Sequence, residues 1–152
     1  AETVAKYEAK AEAFLKEKQD WIYTHREKAL AAAEQKAANR LTEAERKAAV
    51  KRAAQMLAEK TAHFAKEMGV TYGRITIREQ KTRWGSCSSA GNLNYNWKLV
   101  LMPERVMDYV VIHELAHRKE MNHSARFYAV VAQQMPDYKV WQSWLKEHGR
   151  EY

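Results

Sequence analysis

His113-Glu114-Leu115-Ala116-His117 puts two imidazoles and a carboxylate into one short stretch. On a helix, at about 100° per residue, His113 and His117 fall one turn apart on one face, and Glu114 sits roughly 60 to 100° round from them. Two imidazoles so placed can share one metal ion. Zn²⁺ takes neutral imidazole nitrogens at about 2.0–2.1 Å, and a catalytic site uses three protein ligands while keeping a fourth position for water. The cation lowers the pKa of that water towards about 7, and a carboxylate beside it can take the proton as the nucleophile forms. The bland alternative is a pair of helix histidines with no metal, but this pattern rarely arises by chance in a chain of 152 residues.

The third ligand must come from beyond those two turns. His123 follows His117 by six residues, the distance at which the metzincin pattern carries its third histidine. That pattern has a glycine where this chain has Glu120. Asn122, which tolerates the left-handed backbone that ends a helix, is expected to turn the chain back instead. Cys87 offers a thiolate in principle, although three histidines already suffice for the site. His25 and His63 on long helices, and His148 near the end, are expected to lie on the surface with no metal or catalytic role.

The elements that must position these groups follow from composition and periodicity. Residues 3 to about 37 are rich in Ala, Glu, Lys and Gln with no Pro or Gly, the composition of a long exposed helix. Thr42-Glu43-Ala44-Glu45 is a capping box and Gly69 a stop, so a second helix is expected over about 43–68. Tyr7, Phe14, Trp21 and Ile22 in the first helix, and Met56, Leu57 and Phe64 in the second, form interrupted apolar stripes suited to contact between elements. Beyond Gly69 the period changes to two. Ile75 and Ile77 predict a strand over about 73–79, and Leu93, Tyr95, Trp97, Leu99 and Leu101 a second, with a turn at Ser88-Ser89-Ala90-Gly91-Asn92 and Arg83-Trp84-Gly85-Ser86-Cys87 leading into it. Trp84 is expected in the core and Gly85 at a bulge or a close backbone approach. Pro103 predicts a buried helix over about 103–121. Ser124 caps another over about 125–134, which brings Phe127 and Tyr128 under or beside the metal, and a last helix runs from Pro136-Asp137 to near Gly149.

The chain as a whole sets bounds. At 152 residues it is expected to be one domain, a helical part over 1–69 and a sheet-plus-catalytic part over 70–152, and no apolar run is long enough to span a membrane. Twenty-six Lys plus Arg against nineteen Asp plus Glu give a net charge of +7, which favours polyanions or acidic surfaces; the excess is spread along the chain, so nucleic acid is only weakly indicated. One cysteine excludes an internal disulfide and fits a reducing, cytoplasmic compartment. The chain opens at Ala1 without a methionine, which is consistent with a processed or truncated form.

Arg83-Trp84-Gly85-Ser86-Cys87, Leu101-Met102-Pro103-Glu104, His113-Glu114-Leu115-Ala116-His117 and Asn122-His123-Ser124 with Phe127 together resemble, in order and spacing, the YgjP-like metal-dependent hydrolase family. The likeness runs from about Trp21 to Leu145. It implies an α+β, zincin-like fold related to the SprT-like and WLM metalloproteases: long N-terminal helices, a small, mostly antiparallel sheet, an active-site helix and C-terminal helices. It further implies His113, His117 and His123 as metal ligands and Glu114 as general base. Family members commonly begin with strands that this chain lacks, and often carry Trp where Tyr128 stands. They look like peptidases, yet also carry the label UTP pyrophosphatase.

Three functions are therefore weighed. The first is a zinc-dependent peptidase acting on a peptide or protein, with an extended substrate aligned along the sheet edge. The second is a nucleotide pyrophosphatase using the same site, although no Gly-rich phosphate loop is visible. The third is a non-catalytic, zinc-stabilised module that binds a protein partner or nucleic acid. Arg83, Tyr95 and Tyr128 could stabilise an oxyanion or a phosphate. Imidazole sites also accept Ni²⁺, Co²⁺ and Cu²⁺.

Overall fold

The computed structural model describes residues 2–152, with side chains from Ala5 onward; Ala1 lies outside them. Its contacts group the chain into two compact units. One takes the residues up to Arg40 with Arg150–Tyr152, the other Leu41–Gly149.

The first unit is dominated by helix α1, Glu2–Ala38. Asn39 ends it, its backbone amide donating to the Gln35 carbonyl and its side-chain amide to the carbonyl of Glu151 at 3.1 Å. The expected contact stripe is not buried: Tyr7, Phe14, Trp21 and Ile22 are all more than half exposed. High helix propensity accounts for a helix that forms without covering these residues, and the lysines between them leave too sparse a stripe to force burial.

The second unit begins at α2, Glu43–Met68, as its punctuation predicts. The Thr42 hydroxyl accepts from the Glu45 amide, Glu45 reaches back to the Thr42 amide, and Gly69 closes the helix at φ 70°. One face of α2 is buried through Ala49, Ala53, Leu57 and Thr61, against helix α3 (Glu104–Ala116) and the 3-10 helix Trp97–Leu101. Three strands follow, β1 (Ile75–Arg78), β2 (Gly85–Cys87) and β3 (Leu93–Asn96), in the order β1-β3-β2. The sheet is mixed. β2 and β3 form the antiparallel hairpin around the expected turn, with Gly85 opposite Tyr95, whereas β1 runs parallel to β3.

Boundaries within the sheet differ from expectation. Residues 85–87 form a strand rather than an approach to a turn. The following strand stops at Asn96, because the Asn96 carboxamide oxygen accepts from the Lys98 amide at 3.0 Å and caps a 3-10 helix over Trp97–Leu101.

Helix α3, Glu104–Ala116, is buried nearly all round through Val106, Met107, Val111, Ile112 and Leu115. It ends five residues before the expected position. Tight bonds from the Arg118 amide to Leu115 and from the Lys119 amide to Ala116 terminate it, and among the described residues none other than glycine has positive φ. Asn122 therefore does not reverse the chain by a left-handed turn. Helices α4, Ala125–Gln134, capped by the Ser124 hydroxyl, and α5, Tyr138–His148, close over α3. No described helix is long and apolar enough to cross a membrane.

Candidate metal centre

Helix α3 delivers His113 and Glu114 from its last turn and His117 from its C-cap, while His123 reaches in from the segment joining α3 to α4. Their ligating nitrogens all lie within 4.8 Å of one another, and His113 Nε2 is 3.2 Å from His123 Nε2. Two nitrogens sharing a tetrahedral zinc at bonding distance stand about 3.4 Å apart, so the donor set fits such an ion in chemistry and spacing. The hydrogen bonds fix which nitrogen is offered. His117 Nδ1 lies 3.2 Å from the Glu120 carbonyl, which can only accept, so Nδ1 carries the proton and Nε2 the lone pair. His113 Nδ1 meets the Tyr109 hydroxyl at 3.4 Å, which again leaves Nε2 free to face His123.

Phe127, fully buried on α4, is the floor of this cluster. It stacks on His117, with ring centres 4.5 Å apart, and meets His113 and His123 edge-on. An apolar floor excludes water from behind and disfavours the imidazolium forms. Burial, followed by the neighbouring His117 and His123, pulls the His113 pKa down to about 4. Burial and His123 lower that of His117 as well. Both rings are therefore neutral at pH 7, as ligation requires.

Glu114 is buried, and its Oε1 is 4.0 Å from His113 Nε2: beside the ligand cluster without belonging to it. Burial raises its pKa to about 7, with Arg83 pulling the other way. Above it runs β2. A Cβ on Gly85 would stand 3.0 Å from Glu114 Cγ and 3.2 Å from both the Asn94 carbonyl and Val110 Cγ1, so the expected close approach of backbone at Gly85 is made to the carboxylate's own stem. The space between β2 and α3 is a cleft of about 440 Å³ walled by residues 83–87, Tyr109, Val110, His113, Glu114, His117, His123 and Leu145.

The other sequence candidates are distributed unevenly. Arg83 is exposed at the cleft wall. Tyr95 is not in the wall: its hydroxyl is buried 3.0 Å from that of Thr61, and burial pushes its pKa well above the usual phenol range, so it is a core residue. Tyr128 also lies outside the wall, stacked on Tyr138 with ring centres 5.8 Å apart. Cys87 lines the cleft, but its thiol donates to the Ser88 carbonyl, its pKa is raised by burial and by the charge of Glu114, and it stands outside the histidine cluster. His25 and His63 are exposed, and His148 packs beside Trp144. Sequence reasoning left Tyr109 and Leu145 without a site role. Tyr109 was findable, four residues before His113 on the same face; the Glu120 carbonyl, a backbone group, left no signal.

No curated protein matches this chain. In fold it is similar to the metallopeptidase zymogen of Pyrococcus abyssi abylysin, with TM-score 0.54 and 24% identity over 59% of this chain and 90% of that one. It is likewise similar to the metallopeptidase zymogen of Methanocaldococcus jannaschii jannalysin, with TM-score 0.50 and 21% identity over 59% of this chain and 91% of that one. At these identities the likeness is one of fold, and it agrees with the expected α+β class. Residues 30–148 match the family described as YgjP-like, metallopeptidase domain, and the chain belongs to that family.

Proposed function

We propose that the protein is a zinc-dependent peptidase in which His113, His117 and His123 hold the metal and Glu114 handles the proton. The observation that carries this reading is the convergence of three imidazole nitrogens in an open cleft, with a buried carboxylate beside them and outside the donor set. A divalent cation held by these three rings would supply Lewis acidity towards the scissile carbonyl and the attacking water. Glu114 takes the proton from the attacking water and returns it to the leaving amine. β2, at the edge of the sheet, presents backbone groups along the cleft to which an extended peptide can add as a further strand.

A structural zinc site is closed by a fourth protein ligand, and among the described residues the cluster holds three. Nothing in the cleft wall forms a Gly-rich phosphate cradle, so the pyrophosphatase reading gains no support from the geometry. The test is to load the protein and its Glu114→Gln variant with zinc, measure metal content, and assay both on a peptide library and on nucleoside triphosphates. Zinc bound one-to-one in both, with peptide cleavage only in the parent, is expected. Triphosphate hydrolysis without peptide cleavage would overturn the reading.

A further inference from the structure

Several arginines of this unit are engaged within the protein. Arg118 donates to the carbonyls of Thr71 and Ser89, Arg78 to the Asn94 side chain, Arg105 to Asp137, and Arg46 to Glu79. Arg83 differs: among the described residues its guanidinium makes no hydrogen bond and no ion pair, although it stands in the cleft wall beside the histidine cluster. Its backbone is fastened. The buried Asn96 side chain donates to the Arg83 carbonyl at 3.4 Å and to that of Gln80 at 3.0 Å, and the Asn96 amide donates to the Trp84 carbonyl at 2.9 Å. An unpaired planar fork on a fixed main chain is arranged for an anion that arrives from outside.

Two further observations say what kind of anion. Arg83 lies two residues before Gly85, where β2 begins, so a peptide laid along that edge passes it. Residues 70–98 carry five basic side chains against one acidic, so the sheet region as a whole is net positive. One guanidinium without a cradle of backbone amides matches a single carboxylate better than a polyphosphate.

We infer that Arg83 is a carboxylate-binding subsite, which makes the substrates peptides bearing a carboxylate close to the scissile bond. The carboxylate is either the chain terminus or an Asp or Glu side chain. This rests on the peptidase reading and adds a substrate class to it. Arg83 selects substrate; its charge also lowers the Glu114 pKa, but it neither takes nor gives a proton itself.

Matched peptides test it: one sequence with a free or an amidated C-terminus, and one with Glu or Gln flanking the cleaved bond. With the zinc-loaded protein, the carboxylate member of one pair is expected to show a KM about tenfold lower than its neutral partner, with kcat little changed. The pair that responds identifies the source of the carboxylate. Arg83→Gln removes that tenfold difference, and Arg83→Lys, which keeps the charge but not the fork, retains part of it. Binding of the same labelled peptides to Glu114→Gln, and to Glu114→Gln with Arg83→Gln, is followed by fluorescence anisotropy and needs no turnover. Equal KM and equal binding within both pairs, or a preference that survives Arg83→Gln, overturns the subsite even if peptides are cleaved. Arg83-dependent binding of carboxylate peptides without cleavage of any peptide upholds the subsite and overturns the peptidase reading. If Arg83→Gln fails to fold, as judged by thermal melting, the comparison rests on Arg83→Lys, and an undiminished preference there counts against the proposal.

Discussion

Glu114 is an acid buried where a negative charge is poorly solvated, and this has a measurable consequence in the metal-free protein. Its pKa stands at about 7 in the folded chain against 4.5 in the unfolded one, so the folded state holds the proton longer and stability falls as pH rises through that window. His113 has the opposite sign: lowered from 6.5 to about 4, it makes stability fall as pH drops between those values. The two slopes oppose each other between pH 4.5 and 6.5. Metal-free Glu114→Gln keeps only the histidine slope. It is expected to exceed the parent in stability by about 3 kcal/mol at pH 8, with the gap closing below pH 4.5, as urea titrations at a series of pH values will show. With zinc bound, the same substitution should lower kcat by about 10²–10⁴-fold while metal content stays at one per chain, measured by steady-state kinetics beside metal analysis. The clustering of the candidate site was legible at this scale, because a helix turns spacing into geometry and His113, His117 and Glu114 needed only that. Tyr95 was misplaced because alternation along a strand identifies a face but not its occupant. Its face is the one that packs inward, where Thr61 of α2 meets its hydroxyl.

At the scale of elements, the site depends on how closely β2 lies over α3. Gly85→Ala places a methyl group against Glu114 Cγ, Val110 Cγ1 and the Asn94 carbonyl. Overpacking of this kind typically costs about 1–3 kcal/mol. The variant should therefore melt earlier and lose more than about tenfold in kcat, with zinc affinity little changed because the histidines lie off the contact. A second tie joins α2 to α3: Lys60 Nζ lies 2.6 Å from Asp108 Oδ1 and 2.8 Å from Glu104 Oε1, and the Asp108 side chain is only 10% exposed. Lys60→Ala leaves that carboxylate with Arg105 at 3.6 Å as its remaining partner and is expected to destabilise the fold by about 3 kcal/mol by urea denaturation. Helices with explicit punctuation were readable to the residue, as Thr42, Gly69 and Ser124 show. The sheet was not. A strand of three residues such as Gly85–Cys87 carries too few positions for a period of two to emerge, and its pairing is decided by a hairpin and by Asn96, not by its own side chains.

At the scale of the whole molecule, a cation held by both the end of α3 and the segment beyond it is a cross-link between elements, and a ligand that binds only the folded state stabilises it by mass action. Chelation of a fully loaded sample should lower Tm by on the order of 10 °C, checked by scanning calorimetry with and without a zinc-free chelator control. The positive charge acts over longer distances. An excess of seven basic groups raises the encounter rate with acidic peptides, and raising ionic strength from 0.05 to about 0.5 M should slow that association several-fold by stopped-flow fluorescence while leaving neutral peptides nearly unaffected.

The three imidazoles differ in their cover: His117 is buried, His113 partly so, and His123 lies open to solvent on a stretch belonging to no helix. On the proposed ligand set this imposes an order of events. A zinc ion held there would be released by first letting go of His123, which lies outside the helices, and would be captured by the helix-borne pair before that ring closes behind it. His123→Ala should thus speed loss of the ion to a competing dye far more than it slows uptake.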